Sequence, residues 1–239
     1  MKDEMKKLAK CALRQLEIDE SLGIDRCPRA DVKAAIPTAA ACEKTEKRSK
    51  ADQLAALEGE LGNCCRCGLG ATRTKLVFGS GDCAARLMII GEAPGAEEDR
   101  QGLPFVGRSG KLLTKMLAFI NLKREEVYIA NVLKCRPPGN RDPLPSEIKT
   151  CIGTLVRQIE IIEPAAILAL GRFAAQTLLE TDAPIKALRG KVHDYLGVPF
   201  VVTFHPAYLL RNPNDNSKAK MDLDRVKGLL EGSTCDGGE

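Results

Sequence analysis

The sequence predicts an α/β fold, a mainly parallel sheet with helices on both faces. Two observations predict it. Short apolar runs of strand length alternate with longer segments of helical period along most of the chain, as in successive βα units. The runs are also apolar throughout instead of alternating with polar residues, as strands buried on both faces require.

Each element is justified in order. Arg86–Ile90 reads as a buried strand. Ser109–Asn121 reads as a helix, because Leu112, Leu113, Met116, Leu117 and Ile120 fall on one face. Val127–Val132 is a second strand, and Pro145–Glu163 a long helix with Ser146 as the expected cap before Glu147. Ala165–Leu170 is a third strand, followed by a helix through Phe173 and Leu178. Residues 191–204 read as a hairpin whose buried arm is Phe200–Phe204, and a last amphipathic helix spans Leu223–Leu230. In such a fold, functional residues belong beyond the C-terminal ends of the strands.

The N-terminal part differs. Met5, Leu8, Ala12 and Leu16 recur at helical spacing, whereas residues 22–50 carry Pro28 and Pro37, show no apolar period and read as a linker. The expected organisation is an extension over residues 1–60, a functional domain over 61–232 and a disordered tail over 233–239. The extension is charge-neutral, with 12 basic and 12 acidic residues, so the net +4 of the 239-residue chain belongs to the remainder. That charge permits an anionic partner without demonstrating one. Hydrophobic residues at 44% and charged residues at 28% exclude wholesale disorder.

Ten cysteines are the compositional outlier. The N-terminus lacks the apolar core of a signal peptide, and no apolar run approaches the roughly 20 residues of a membrane helix. A cytoplasmic protein with reduced thiols is therefore expected, in which clustered cysteines bind metal or do redox chemistry. Cys64 and Cys67 form C-x-x-C, a spacing that lets one turn present two thiolates to a metal centre. Cys135 follows the second strand and Cys151 lies in the next helix, enough to complete a four-thiolate site. Cys65 is the rival ligand. Zinc and an iron–sulfur cluster both suit four cysteines, and spacing does not separate them. Cys11, Cys27, Cys42, Cys83 and Cys235 carry no assigned chemistry.

Two familiar patterns fail on inspection. The G-x-G-x-x-A of residues 79–84 precedes a strand instead of following one, so a dinucleotide would meet no helix N-terminus. GRSGKLL places Phe105 where a P-loop needs glycine and Leu112 where it needs Ser or Thr. Two histidines in the whole chain exclude His-rich metal sites.

Three further constellations follow strands. Gly91-Glu92-Ala93-Pro94-Gly95 is a tight loop with exposed backbone N–H groups, and Glu92, Glu97, Glu98 and Asp99 place four carboxylates beside it. Phe105 sits among Gly and Pro outside any period, the position of a stacking platform for a flat ligand. Asn131 ends the second strand, where its amide can read the edge of a base. His205-Pro206-Ala207-Tyr208-Leu209-Leu210-Arg211 follows the hairpin, and an apolar tip beside a cation suits a loop that wedges into a duplex while touching phosphate. Lys134 and Arg136 are further cations for the DNA backbone.

Together C-x-x-C, GEAPGAEED, GLPFVGRSGKLL, YIANVLKCRPPGNR and HPAYLLRNP resemble, in order over residues 60–230, the family 4 uracil-DNA glycosylases, the iron–sulfur branch of their superfamily. The resemblance implies a three-layer α/β/α sandwich with a [4Fe–4S] cluster on Cys64, Cys67, Cys135 and Cys151. It implies that a monomer flips uracil out of single- or double-stranded DNA and hydrolyses its glycosidic bond. Phe105 would stack on the base, Asn131 would bond its pairing edge, Glu98 would line the pocket, and Gly91 and Gly95 would meet the substrate through backbone groups. His205 would stabilise the uracil oxygen that gains charge, and Leu209 and Arg211 would enter the duplex with Lys134 and Arg136 nearby. Ala93 stands where the best-known branch has a water-orienting Asp, which leaves Glu92 as the candidate for that role. The cluster would anchor DNA-facing loops without redox turnover. The alternatives are a covalent binder like the family X branch, for which no extra His follows VGRSGKLL, and a non-catalytic Fe–S or Zn nucleic-acid module, which leaves Phe105 and Asn131 unexplained.

Overall fold

A computed structural model describes residues 48–232. The helix expected over residues 3–18, most of the linker and the tail lie outside the described residues. The chain divides into two units between Ser49 and Lys50, and the described residues 50–232 belong to the second.

The second unit begins earlier than the sequence suggested. Helix α1 (Lys50–Leu61) turns Leu54, Leu57 and Leu61 into the core at i, i+3 and i+7. Lys50 Nζ donates to Ile162 O (2.9 Å) and pairs with Glu163 (2.8 Å), while Arg157 holds Glu60 through two bonds. These residues therefore belong to the folded domain and not to a linker.

Six strands form one sheet in the order β1-β3-β2-β4-β6-β5. They are β1 (Ser80–Gly81), β2 (Leu87–Gly91), β3 (Tyr128–Asn131), β4 (Ala166–Leu170), β5 (Val192–Tyr195) and β6 (Val198–Thr203). The four central strands are parallel, and β1 and β5 close the edges antiparallel. The hairpin expected at residues 191–204 is β5–β6. Along β2, side chains divide by parity, as strand geometry dictates. Met88 and Ile90 pack beneath α1, α4 (Pro145–Ile162) and α5 (Arg172–Leu179). Leu87 and Ile89 pack toward α3 (Arg108–Phe119) and α8 (Asn216–Gly232). The result is three layers, helices over both faces of a mostly parallel sheet.

Some boundaries differ from expectation. Helix α4 is capped at Leu144, whose N–H donates to the Glu147 carboxylate (2.9 Å), with Pro145 in the first helical position. Ser146 lies inside the first turn and is not the cap. The segment read as a His-Pro loop is a short helix, α7 (Pro206–Arg211). The last helix starts seven residues before Leu223, because polar Asn216–Met221 hides a first half that buries Ala219. The remaining short helices are α2 (Ala96–Gln101) and α6 (Ile185–Leu188).

Strand order places the site. The chain leaves β2 for β3 on one side, then crosses to β4 on the other, so the C-terminal ends of β2 and β4 diverge and open a crevice.

Candidate active site

Phe105 lies on the loop between α2 and α3. Its φ of 52° is in the left-handed region that side chains avoid, so the loop must be held in place. Glu98 does this: one carboxylate oxygen accepts from the N–H groups of Val106 (2.9 Å) and Gly107 (3.1 Å). Two glycines make the space. A Cβ on Gly110 would lie 1.7 Å from the Phe105 carbonyl oxygen. A Cβ on Gly91 would lie 2.6 Å from the Phe105 ring and 2.4 Å from Asn131 Oδ1. Gly91 thus serves as clearance for the ring and the amide, and its carbonyl accepts from Val132 N (3.0 Å).

Asn131 ends β3 and is buried, and its Oδ1 has no hydrogen-bond partner among the described residues. A buried acceptor without a donor costs about 1–3 kcal/mol. His205 follows β6 directly, with its ring centroid 5.6 Å from that of Phe105. Its Nδ1 accepts from Ala207 N (3.1 Å), so in the neutral ring the proton sits on Nε2. Burial, reinforced by the Arg211 cation, pushes its pKa down to about 4 against a weaker pull from Glu98. At neutral pH the ring is an uncharged Nε2–H donor.

Glu92 follows β2 and is half-buried. Burial, with the Asp142 carboxylate adding to it, pushes its pKa up to about 7, opposed by Arg172. Arg172, just past β4, pairs with Asp142 (3.3 Å). The carboxyl is therefore poised between acid and base near neutrality.

Glu92, Gly95, Glu98, Phe105, Asn131, His205 and Arg211 all line one cavity of about 490 Å³. That volume suits a base with its sugar. Tyr208, Asn140 and Arg141 line it too and were not anticipated. Arg141 is held by Glu147 through two bonds (2.6 and 2.9 Å) at the rim. The signal was available in the GNR triplet after the second strand, where a turn precedes a cation.

Two of the expected DNA contacts are placed elsewhere. Lys134 is 1% exposed, with Nζ donating to Asn131 O (2.8 Å) and Gln158 Oε1 (2.6 Å), so it reaches no phosphate. Burial pushes its pKa down to about 7. Leu209 is also buried, packed among Leu113, Leu117 and Phe204, and Leu210 is the exposed member of the pair. Arg136 is half-buried, with Nε donating to Asn140 Oδ1 (2.7 Å).

On the other side of β3, Cys64, Cys67, Cys135 and Cys151 line a second cavity with Arg66, Arg73 and Lys134. Cys65 is exposed and does not line it. Arg66 Nε donates to Cys64 Sγ (3.3 Å) and Arg73 Nη1 to Cys135 Sγ (3.2 Å). Burial pulls the Cys64 thiol up, but the two arginines outweigh it and hold it below its ordinary value. Burial prevails at Cys135 and Cys151, which are pushed up. Among the described residues no group of three or more His, Cys, Asp or Glu side chains closes on a site for one metal ion.

A mostly parallel sheet covered on both faces, with an aromatic, a buried amide and a His around a cavity at its switch point, is the layout of a ligand-binding α/β protein. Residues 78–224 match the model of the Uracil DNA glycosylase superfamily. The chain is 45% identical to the type-4 uracil-DNA glycosylase of Archaeoglobus fulgidus, over 71% of this chain and 89% of that one. It is 44% identical to that of Thermotoga maritima (70% and 90%) and 42% identical to that of Sulfurisphaera tokodaii (74% and 85%). The chain belongs to the uracil DNA glycosylase superfamily.

Proposed function

We propose that this protein excises uracil from DNA by hydrolysing the bond between base and sugar. One observation carries the reading: Asn131, whose buried Oδ1 has no partner among the described residues, lines the same cavity as Phe105 and His205. Uracil presents an N–H donor between two carbonyl oxygens on its pairing edge, whereas cytosine presents an acceptor at that nitrogen. An acceptor on the protein therefore selects uracil, because cytosine would leave two acceptors facing each other.

The base must leave the helix to reach this cavity, at a cost of a few kcal/mol. Stacking on Phe105 offsets on the order of 1–3 kcal/mol. As the glycosidic bond lengthens, negative charge gathers on the base, and the neutral His205 donates to it without first losing a proton. Positive charge gathers on the sugar. Glu92, ionised above about pH 7, attracts that charge and accepts a proton from the attacking water. Glu98 holds the loop that carries Phe105, Gly95 lines the cavity beside it, and Arg211, Arg141 and Leu210 form the rim that meets the strand. Uracil-containing DNA, single- or double-stranded, is the partner, and the chain acts as a monomer in the cytoplasm. Among the described residues no helix is long and apolar enough to cross a membrane.

The four thiols lining the second cavity are the residues that would hold a [4Fe–4S] cluster, Cys64, Cys67, Cys135 and Cys151. The donor set is four thiols, and the surrounding arginines suit an anionic group. When bound, the cluster supplies a rigid cross-link between the chain before β1 and the loops after β3.

The test is incubation of the purified protein with an oligonucleotide carrying one uracil, scored for abasic sites, beside a visible spectrum and iron analysis. Abasic sites at uracil alone and about four irons per chain are expected. A colourless zinc protein would reject the cluster, and binding without base release would reject the enzyme.

A further inference from the structure

The cysteine-lined cavity and the base-reading amide meet at one residue. Lys134 is fully buried, and among the described residues no carboxylate bonds it. A buried ammonium costs several kcal/mol where a Met of similar shape would cost little, so the residue type asks for a reason. On one side, its Nζ donates to the main-chain carbonyl of Asn131 (2.8 Å) and to Gln158 Oε1 (2.6 Å). Gln158 is itself locked, donating to Phe78 O (3.0 Å) and to the Tyr128 hydroxyl (3.3 Å). On the other side, Lys134 lines the cysteine cavity together with Cys151, and the next residue is Cys135. Its carbonyl accepts from Val77 N (2.9 Å).

We propose that Lys134 is a positioning residue that ties the four-cysteine site to Asn131, so that filling that site sets the placement of the base-reading amide. The inference rests on the function proposed above. Fixing Cys135 fixes the backbone of its neighbour Lys134, whose carbonyl is already held by Val77 N and which lines the same cavity as Cys151. The side chain then delivers its N–H groups to the peptide from which Asn131 projects. In this arrangement the cysteine site acts on base recognition without touching the base.

The test is a double-mutant cycle. Single-turnover uracil release and affinity for a uracil oligonucleotide are measured for wild type, Lys134→Met, Asn131→Ala and the double variant, with iron content and visible absorption on the same samples. K134M is expected to keep its iron and its absorption band yet lose about tenfold or more in rate. The loss should vanish in the N131A background, where the double variant matches N131A within about twofold. An unimpaired K134M, or a loss that adds in full to that of N131A, overturns the proposal. Should K134M fail to fold, wild type depleted of iron serves instead. It should remain folded by circular dichroism and lose its preference for uracil-containing over uracil-free DNA down to the level of N131A. Retention of the preference overturns the proposal. An iron-loaded wild type that releases no uracil strikes the glycosylase reading and this inference with it, whereas failure of the cycle in an active enzyme strikes the inference alone.

Discussion

In the proposed reaction Asn131 serves the base and Glu92 the sugar, and each yields a measurement. Removing the Asn131 amide deletes the acceptor proposed to meet the base, so N131A should lose about 1–3 kcal/mol of transition-state binding, roughly 5- to 150-fold in kcat/KM. Glu92 makes rate and stability run in opposite directions with pH. Its folded-state pKa of about 7 lies above its ordinary value, so the stability it contributes is present at low pH and lost as pH rises through 7. Its catalytic form, the carboxylate, gains over the same interval. The single-turnover rate should rise through about pH 7 in wild type and stay flat in Glu92→Gln. E92A should be slower by at least about tenfold. Thermal melts should show E92Q stabilised relative to wild type above pH 7 and unchanged well below the ordinary carboxylate range. The sequence carried these residues in plain view, as polar groups ending apolar strands. It did not carry Gly110, whose lack of a Cβ lets the Phe105 backbone pack on the first turn of α3. A contact between residues five apart through a strained loop has no periodic signature, and the glycine-lysine pair drew attention only as a failed phosphate loop.

At the scale of elements, α7 separates what the sequence ran together. Pro206 looks like a loop residue, but proline is well suited to the first position of a helix. Once Pro206–Arg211 is helical, adjacent leucines point about 100° apart. Leu209 faces the core and Leu210 faces solvent. The two should fail differently on truncation. Leu209→Ala should cost about 2–5 kcal/mol in chemical denaturation. Leu210→Ala should leave stability within about 0.5 kcal/mol and slow uracil release from duplex DNA, with single-stranded substrate little affected, because only a duplex needs the wedge. The same helix is braced from behind. Phe204 stacks on Tyr208, the Arg189 guanidinium lies 4.0 Å over the Phe204 ring, and Asp222 of α8 pairs with Arg189 almost out of solvent. Removing one partner strands a buried charge, so Asp222→Ala should cost about 3–5 kcal/mol. No motif announced this brace. Asp222 sits in a helix whose polar composition reads as a solvated face, and tertiary packing overrides that reading.

For the whole molecule, the decisive question is where the functional unit begins. The doubly wound layout from residue 85 onward was legible, because buried parallel strands are apolar throughout and the helices between them keep their period. The start was not, although Leu54, Leu57 and Leu61 carry a helical stripe, because the surrounding Ala, Lys and Glu match the composition of a linker. In the structure those three leucines lie 7%, 1% and 4% exposed under the sheet. Each would cost about 2–5 kcal/mol to truncate to alanine. Losing all three removes about 6–15 kcal/mol, as much as the 5–15 kcal/mol by which a domain of this kind exceeds its unfolded state. The helix also leads into Cys64, so its loss frees one end of the cysteine site. Two shortened chains separate the possibilities. A chain beginning at Arg48 should match the full protein in denaturant midpoint, iron content and uracil release, whereas one beginning at Gly62 should be unfolded or greatly destabilised and bind little iron. Equal midpoints for the two would return residues 50–61 to the extension and leave the second unit starting at the cysteines.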